Sequence, residues 1–209
     1  MGTLLPRRRL ALVLSLWLLT GAIAGIALIT GRSGDRSESP ATSAPVSRLV
    51  LHDQPLSVPA FGFTDAGGSA LGLDDFRGRT VLLNIWATWC APCRKEMPSL
   101  DRLQAEMGGP DFQVVALSID RGGLDPVRAF FGEVGLPHLG IYLDQPSAST
   151  QALKVVGIPT TLLIDGEGRE IGRATGPAEW DSPEMKAMIR QGTGGTAADL
   201  PSKSKEKPS

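Results

Sequence analysis

The longest uncharged stretch, mostly apolar, covers residues 10–30, directly after Arg7, Arg8 and Arg9. At about 1.5 Å of rise per residue, a helix over that stretch matches the ~30 Å hydrocarbon core of a bilayer. It lacks the polar face that a helix packed on a soluble core normally carries. Residues 1–31 are therefore expected to form a basic cytoplasmic start and a transmembrane anchor. The arginines before the run and the mixed charges after it (Arg32, Asp35, Arg36, Glu38) keep the N-terminus in the cytoplasm. The competing reading is a secretory signal cut near Ala22-Ile23-Ala24, against which Ile26, Ala27, Leu28 and Ile29 prolong the apolar run. Either reading exports the rest of the chain.

Residues 32–54 are rich in Ser, Pro, Ala and Gly without periodicity and read as a flexible linker. Residues 192–209, small residues followed by Lys203, Lys205 and Lys207, read as a disordered tail. Between them, residues 55–191 alternate strand-like and helix-like patterns. Residues 80–86 (TVLLNIW) form the continuous apolar, β-rich run of a strand buried on both faces, and residues 112–119 (FQVVALSI) form a second. A helical pattern follows the first strand to about Met107, where Gly108-Gly109-Pro110 stops it. Asp125 and Pro126 are expected to cap and open a helix reaching about Val134. A short strand over 139–143, a helix over 147–155, strands over 160–164 and 170–174, and a last amphipathic helix over 182–189 complete the pattern. Asp165-Gly166-Glu167-Gly168 supplies hairpin chemistry between the last two strands. Such alternation predicts an α/β domain with helices on both faces of a central sheet, which the closing hairpin makes mixed.

A formal net charge of −1, with no basic run beyond the first ten residues, argues against nucleic-acid binding. Only two cysteines exist, so no disulfide framework staples the fold. They stand together in Trp89-Cys90-Ala91-Pro92-Cys93, where a buried strand gives way to a helix. A helix N-terminus carries about half a positive charge and several unpaired N–H groups. A thiolate at Cys90 is stabilised there, with its pKa below the ~8.5 of a free cysteine. Cys93, one turn further in, is expected to be the more buried thiol that resolves a mixed disulfide formed on the exposed Cys90. Structural zinc needs four ligands, yet there is no second C-x-x-C and only His52 and His138 elsewhere. A purely structural disulfide closing so short a loop constrains the unfolded chain little.

Residues 86–98, Trp86-Ala87-Thr88-Trp89-Cys90-Ala91-Pro92-Cys93-Arg94-Lys95-Glu96-Met97-Pro98, resemble the active-site segment of the TlpA family, membrane-anchored extracytoplasmic relatives of thioredoxin. The resemblance covers roughly residues 55–190. It takes in Leu73-Asp74-Asp75-Phe76-Arg77-Gly78, then Gly157-Ile158-Pro159-Thr160, similar to the cis-proline loop of thioredoxin folds, and Gly176-Pro177-Ala178-Glu179-Trp180. It implies a thioredoxin-like fold, protein thiol–disulfide exchange, and a link to cytochrome oxidase assembly. Pro159 is then expected to follow a cis bond, with the Ile158 backbone beside the sulfurs to pair with an incoming strand; a trans turn proline is the plainer alternative. Pro98 removes a hydrogen bond inside the active-site helix and should kink it. Trp86 is expected in the core, and Trp89 either forms an apolar wall for recognition or simply packs. Asn84 stands where thioredoxins carry a buried acid. Glu96, one turn after Cys93, is the candidate substitute that tunes the thiols or relays a proton, the alternative being a surface salt bridge to Arg94, Lys95 or a later basic residue.

Ala91-Pro92 offers no donor side chain between the cysteines, so the expected potential lies nearer the ~−270 mV of thioredoxin than the ~−120 mV of a strong oxidase. This predicts a reductase for partner protein disulfides, without a bound cofactor, recharged by a membrane electron donor. Two alternatives remain. A peroxidase of the peroxiredoxin type wants Thr and Pro three and seven residues before the reactive cysteine, where this chain has Ala87 and Leu83. A copper module would hold Cu(I) between the two soft thiolates.

Overall fold

The structure, a computed structural model, describes residues 47–194 apart from residue 146. The expected anchor, most of the linker and most of the tail lie outside the described residues, among which no helix is long and apolar enough to cross a membrane.

The strands are β1 (Val50–Ser57), β2 (Gly62–Asp65), β3 (Ala70–Gly72), β4 (Thr80–Trp86), β5 (Phe112–Ser118), β6 (Tyr142–Leu143), β7 (Thr160–Ile164) and β8 (Arg169–Thr175). The helices are α1 (Ala91–Met107), α2 (Leu124–Val134), α3 (Ala148–Ala152) and α4 (Pro183–Gly192), with a 3₁₀ turn at Leu73–Phe76. One mixed sheet runs in the order β1-β8-β7-β4-β5-β6-β2-β3. The predicted central strand is central: β4 pairs in parallel with β5 and antiparallel with β7. It is apolar throughout because both its faces are covered. Alternation sends Leu82 and Trp86 into a core shared with α1, α2 and α4, and Val81, Leu83 and Ile85 into a second core beneath Leu153, Phe63 and Phe76. Asn84 shares the Leu82 and Trp86 side, which aims a polar side chain at α1.

Several boundaries differ from those the pattern predicts. β1 begins inside the expected linker, and Leu49 just before it is buried in the core. Its mostly exposed edge position tolerates His52, Asp53 and Pro55, so it shows no alternating apolar signal. The β2–β3 hairpin is missed for a similar reason, since only Phe63 is fully buried along it. Asp125 does not cap α2. The N-cap is Gly123, at φ +73°, and Asp125 sits in the first turn. α3 and β6 are shorter than predicted, and α4 runs on to Gly192 with the Ser182 hydroxyl capping it through the Met185 N–H. α1 matches its predicted span, with Pro98 inside it.

Leu49→Ala is expected to destabilise the full-length chain by about 2–5 kcal/mol in urea unfolding. A cost under about 0.5 kcal/mol would detach the segment before residue 55 from the folded domain.

Candidate active site

β4 ends in a buried layer, and the chain must turn sharply to enter α1. The turn is closed by the Cys90 N–H donating to the Ala87 carbonyl at 3.1 Å. Cys90 then occupies the N-cap of α1, with extended backbone angles. Pro92 sits in the first helical turn, where its missing N–H removes no helix bond. The Cys93 N–H points at the Cys90 sulfur at 3.2 Å, so the group usually satisfied by a Ser or Asp oxygen is here offered to sulfur. Cys90 and Cys93 are joined as a disulfide. Cys93 is 0% exposed and Cys90 6%, so Cys93 is the more covered of the two, but Cys90 is itself buried in the disulfide rather than exposed as expected.

Trp89 is 67% exposed beside this sulfur and does not pack into the core, whereas Trp86 is buried against Phe130 and Phe131. The Ile158–Pro159 bond is cis. The Ile158 carbonyl oxygen lies 3.7 Å from the Cys90 sulfur. That sulfur has no proton in the disulfide, so this is a contact rather than a hydrogen bond. Val156, two residues earlier, is almost fully exposed.

Glu96 makes no surface ion pair. It is 2% exposed and surrounded by neutral donors. Asn84 Nδ2 donates to its Oε1 at 2.8 Å, and the Ala178 N–H and Trp180 Nε1–H donate to its Oε2 at 3.0 Å each. Burial pushes its carboxyl up to about 7, against the opposing pull of those three hydrogen bonds. Arg94 instead lies 4.5 Å over the Phe130 ring and 3.4 Å from Glu133. Asn84 also donates to Thr161 Oγ1 at 2.9 Å, while its own Oδ1 is buried without a partner.

Sequence reading missed three contributors. Asp120, buried at the end of β5, accepts from the Thr88 N–H (2.9 Å), the Thr88 hydroxyl (2.7 Å) and the Ser118 hydroxyl (2.7 Å). It pins the turn leading to Cys90. The signal available was its place just past the C-terminal end of a strand parallel to β4, where the two strand ends must converge. Trp180 and Ala178 lay in a noted motif, but nothing local linked them to Glu96. Among the described residues no cluster of three or more His, Cys, Asp or Glu side chains is arranged to hold a metal. His52 is bonded to Glu170 and His138 to Asp101.

The family model for Redoxin matches residues 54–189. The thiol-disulfide oxidoreductase ResA of Bacillus thuringiensis subsp. konkukian is 33% identical over 118 residues, covering 56% of this chain and 67% of that protein. ResA of Bacillus subtilis is 31% identical over 118 residues, covering 56% and 65%. Among solved structures, a candidate thiol:disulfide interchange protein DsbE from Chlorobium tepidum superposes with a TM-score of 0.59 at 28% identity, covering 67% of this chain and 97% of that one. The thioredoxin domain of a thiol-disulfide oxidoreductase from Bacteroides vulgatus gives 0.56 at 25% identity, covering 66% and 96%. The mixed sheet and its helices are thus a thioredoxin-like fold.

Glu96 holds its proton more tightly when folded than its ordinary 4.5 allows when unfolded. Its contribution to stability is complete below about pH 4.5 and is lost as pH rises through about 7. In urea unfolding of the oxidised chain, wild type is expected to lose on the order of 3 kcal/mol relative to Glu96→Gln between pH 4.5 and 8. A gap independent of pH would show that Glu96 does not titrate in this window.

Proposed function

This chain belongs to the Redoxin family and is a thiol–disulfide oxidoreductase, and we propose that it works outside the cytoplasm as a reductase of partner protein disulfides. The observation that carries the direction is the electrostatic balance around the sulfurs. The Cys93 N–H and the helix N-terminus favour a Cys90 thiolate. No side-chain donor stands between the cysteines, and the buried acid behind Cys93 is matched only by neutral donors. The thiolate is therefore stabilised enough to attack but not enough to make the pair a strong oxidant.

The reduced pair acts in two steps. The Cys90 thiolate attacks one sulfur of the partner disulfide, forming a mixed disulfide and expelling the other sulfur as a thiolate, which takes a proton from water. Cys93 then passes its proton to the Glu96 carboxylate. The resulting thiolate attacks the Cys90 sulfur, releasing the second partner thiolate and leaving the Cys90–Cys93 disulfide. Two electrons pass to the partner, and no cofactor beyond the cysteine pair takes part.

An extended partner segment fits beside the Ile158 backbone, between the exposed Trp89 and Val156. The apolar run after Arg7–Arg9 supports anchoring in the cytoplasmic membrane with the domain on its outer side. In that compartment the oxidised pair is recharged by a membrane electron donor. The likeness to the TlpA family supports partner thiols of cytochrome oxidase assembly as substrates.

The reduction potential of the full-length chain is expected near ~−270 mV, and a value above about −160 mV would overturn the reductive direction. Cys93→Ser is expected to accumulate partners as mixed disulfides on Cys90. Electrophoresis without reductant detects them, and Cys90→Ser should trap none.

A further inference from the structure

Residues 176–180, which follow β8, touch both halves of the redox site. The Gly176 N–H donates to the Pro159 carbonyl at 2.8 Å, on the loop that faces Cys90. Gly176 itself has φ +97°, a conformation L side chains rarely adopt, and a Cβ there would meet the Ser47 hydroxyl at 2.5 Å. Two residues on, the Ala178 N–H reaches Glu96. Trp180 is fully buried and donates twice toward α1: its indole to Glu96 Oε2, and its backbone N–H to the Ser99 hydroxyl at 3.1 Å. That hydroxyl in turn donates to the Glu96 carbonyl at 2.7 Å.

The donors around Glu96 are not equivalent. The Asn84 amide has a donor end and an acceptor end, and its Oδ1 is free of partners. Rotation of the amide exchanges the two ends, so Asn84 can serve either the charged or the neutral carboxyl. The Ala178 N–H and the indole N–H can only donate, and both converge on one oxygen, which favours the charged form. Of those two, only the indole belongs to a side chain. Beyond these donors, Thr161 of β7 is linked to Glu96 through Asn84, the charge of the exposed Glu179 opposes ionisation, and buried Cys93 lies one turn earlier on α1.

We propose that Trp180 is a positioning residue of the redox centre, its indole holding Glu96 as the carboxylate that accepts the Cys93 proton while the 176–180 loop ties that carboxylate to the Pro159 loop. This rests on the reading of Glu96 as proton acceptor. Trp180 has no hydrogen bond to either sulfur; it acts through Glu96.

The test reads Glu96 directly, from the ¹³C-labelled carboxyl resonance of the oxidised full-length chain over pH. Thiol–disulfide exchange rates are followed across the same range. Trp180→Phe keeps an aromatic ring and removes the N–H. It is expected to weaken the acidity of Glu96 about tenfold and to displace the pH profile of exchange by the same factor. Glu96→Gln and the double variant should share one profile. If Trp180→Phe fails to fold, the indole ¹⁵N–¹H resonance of the unaltered chain carries the test, and it is expected to titrate with the Glu96 midpoint. Unchanged Glu96 ionisation in Trp180→Phe, an indole resonance that ignores that midpoint, or an exchange effect that persists without Glu96 would each overturn the proposal. Cysteine titrations in Glu96→Gln alone stand apart from these readings. Unchanged thiols there would overturn the proton-acceptor role, and with it the redox part of the proposal, whatever the indole does.

Discussion

A strand buried on both faces has to end, and the helix that follows it begins with N–H groups that have no partner of their own. In this chain the nearest acceptor is sulfur. The Cys93 N–H aims at Cys90 because Cys90 occupies the N-cap, and Cys90 occupies the N-cap because the turn from Ala87 is closed behind it. Asp120 holds that turn from the neighbouring strand through both the backbone and the hydroxyl of Thr88. The N-terminal partial charge of α1 is thereby delivered to one atom. Trp89, freed from any duty in holding the turn, can stand in solvent beside it.

The difference in access between the two sulfurs then orders the chemistry. Cys93 is fully sealed and Cys90 retains a small exposure, the difference on which the proposed order of attack and resolution rests. One turn further along α1 the core holds a carboxyl, Glu96, that most cores would exclude. A buried acid without a cation is costly unless each oxygen is hydrogen-bonded. Asn84, Ala178 and Trp180 supply those bonds from β4 and from the loop after β8. Its proton affinity consequently sits near neutrality, between the ordinary ranges of a carboxylate and a thiol.

The same loop bonds to the Pro159 carbonyl, so the acid and the backbone beside the Cys90 sulfur share a support. Segment 47–57 adds a further brace. Ser47 donates its N–H to the Pro177 carbonyl at 2.8 Å and its hydroxyl to the Thr175 carbonyl. Leu49 is buried in the core next to them. The chain leading into the domain is thus bonded to the loop that holds Glu96.

Much of this was legible in the residues themselves. Apolar runs of strand length at 80–86 and 112–119, a glycine stop at 108 and the amphipathic pattern over 182–189 are local signals, and each depends only on near neighbours in the chain. The C-x-x-C at a strand-to-helix junction determined the chemistry for the same reason, since helix-end electrostatics act within one turn. What tertiary structure alone decided is who meets whom across the sheet. The pattern could propose Glu96 as a partner of the thiols, but a surface ion pair fitted its neighbours equally well. Its burial depends on β4 presenting Asn84 toward α1, and on a tryptophan 84 positions away folding back over it. Asp120 reaches Thr88 across 32 positions, and edge strand β1 is held by pairing with β8 rather than by its own pattern. Local spacing encodes helices, strands and the reactive pair, whereas hydrogen bonds between distant segments leave no periodic trace in sequence and exist only once the sheet has assembled.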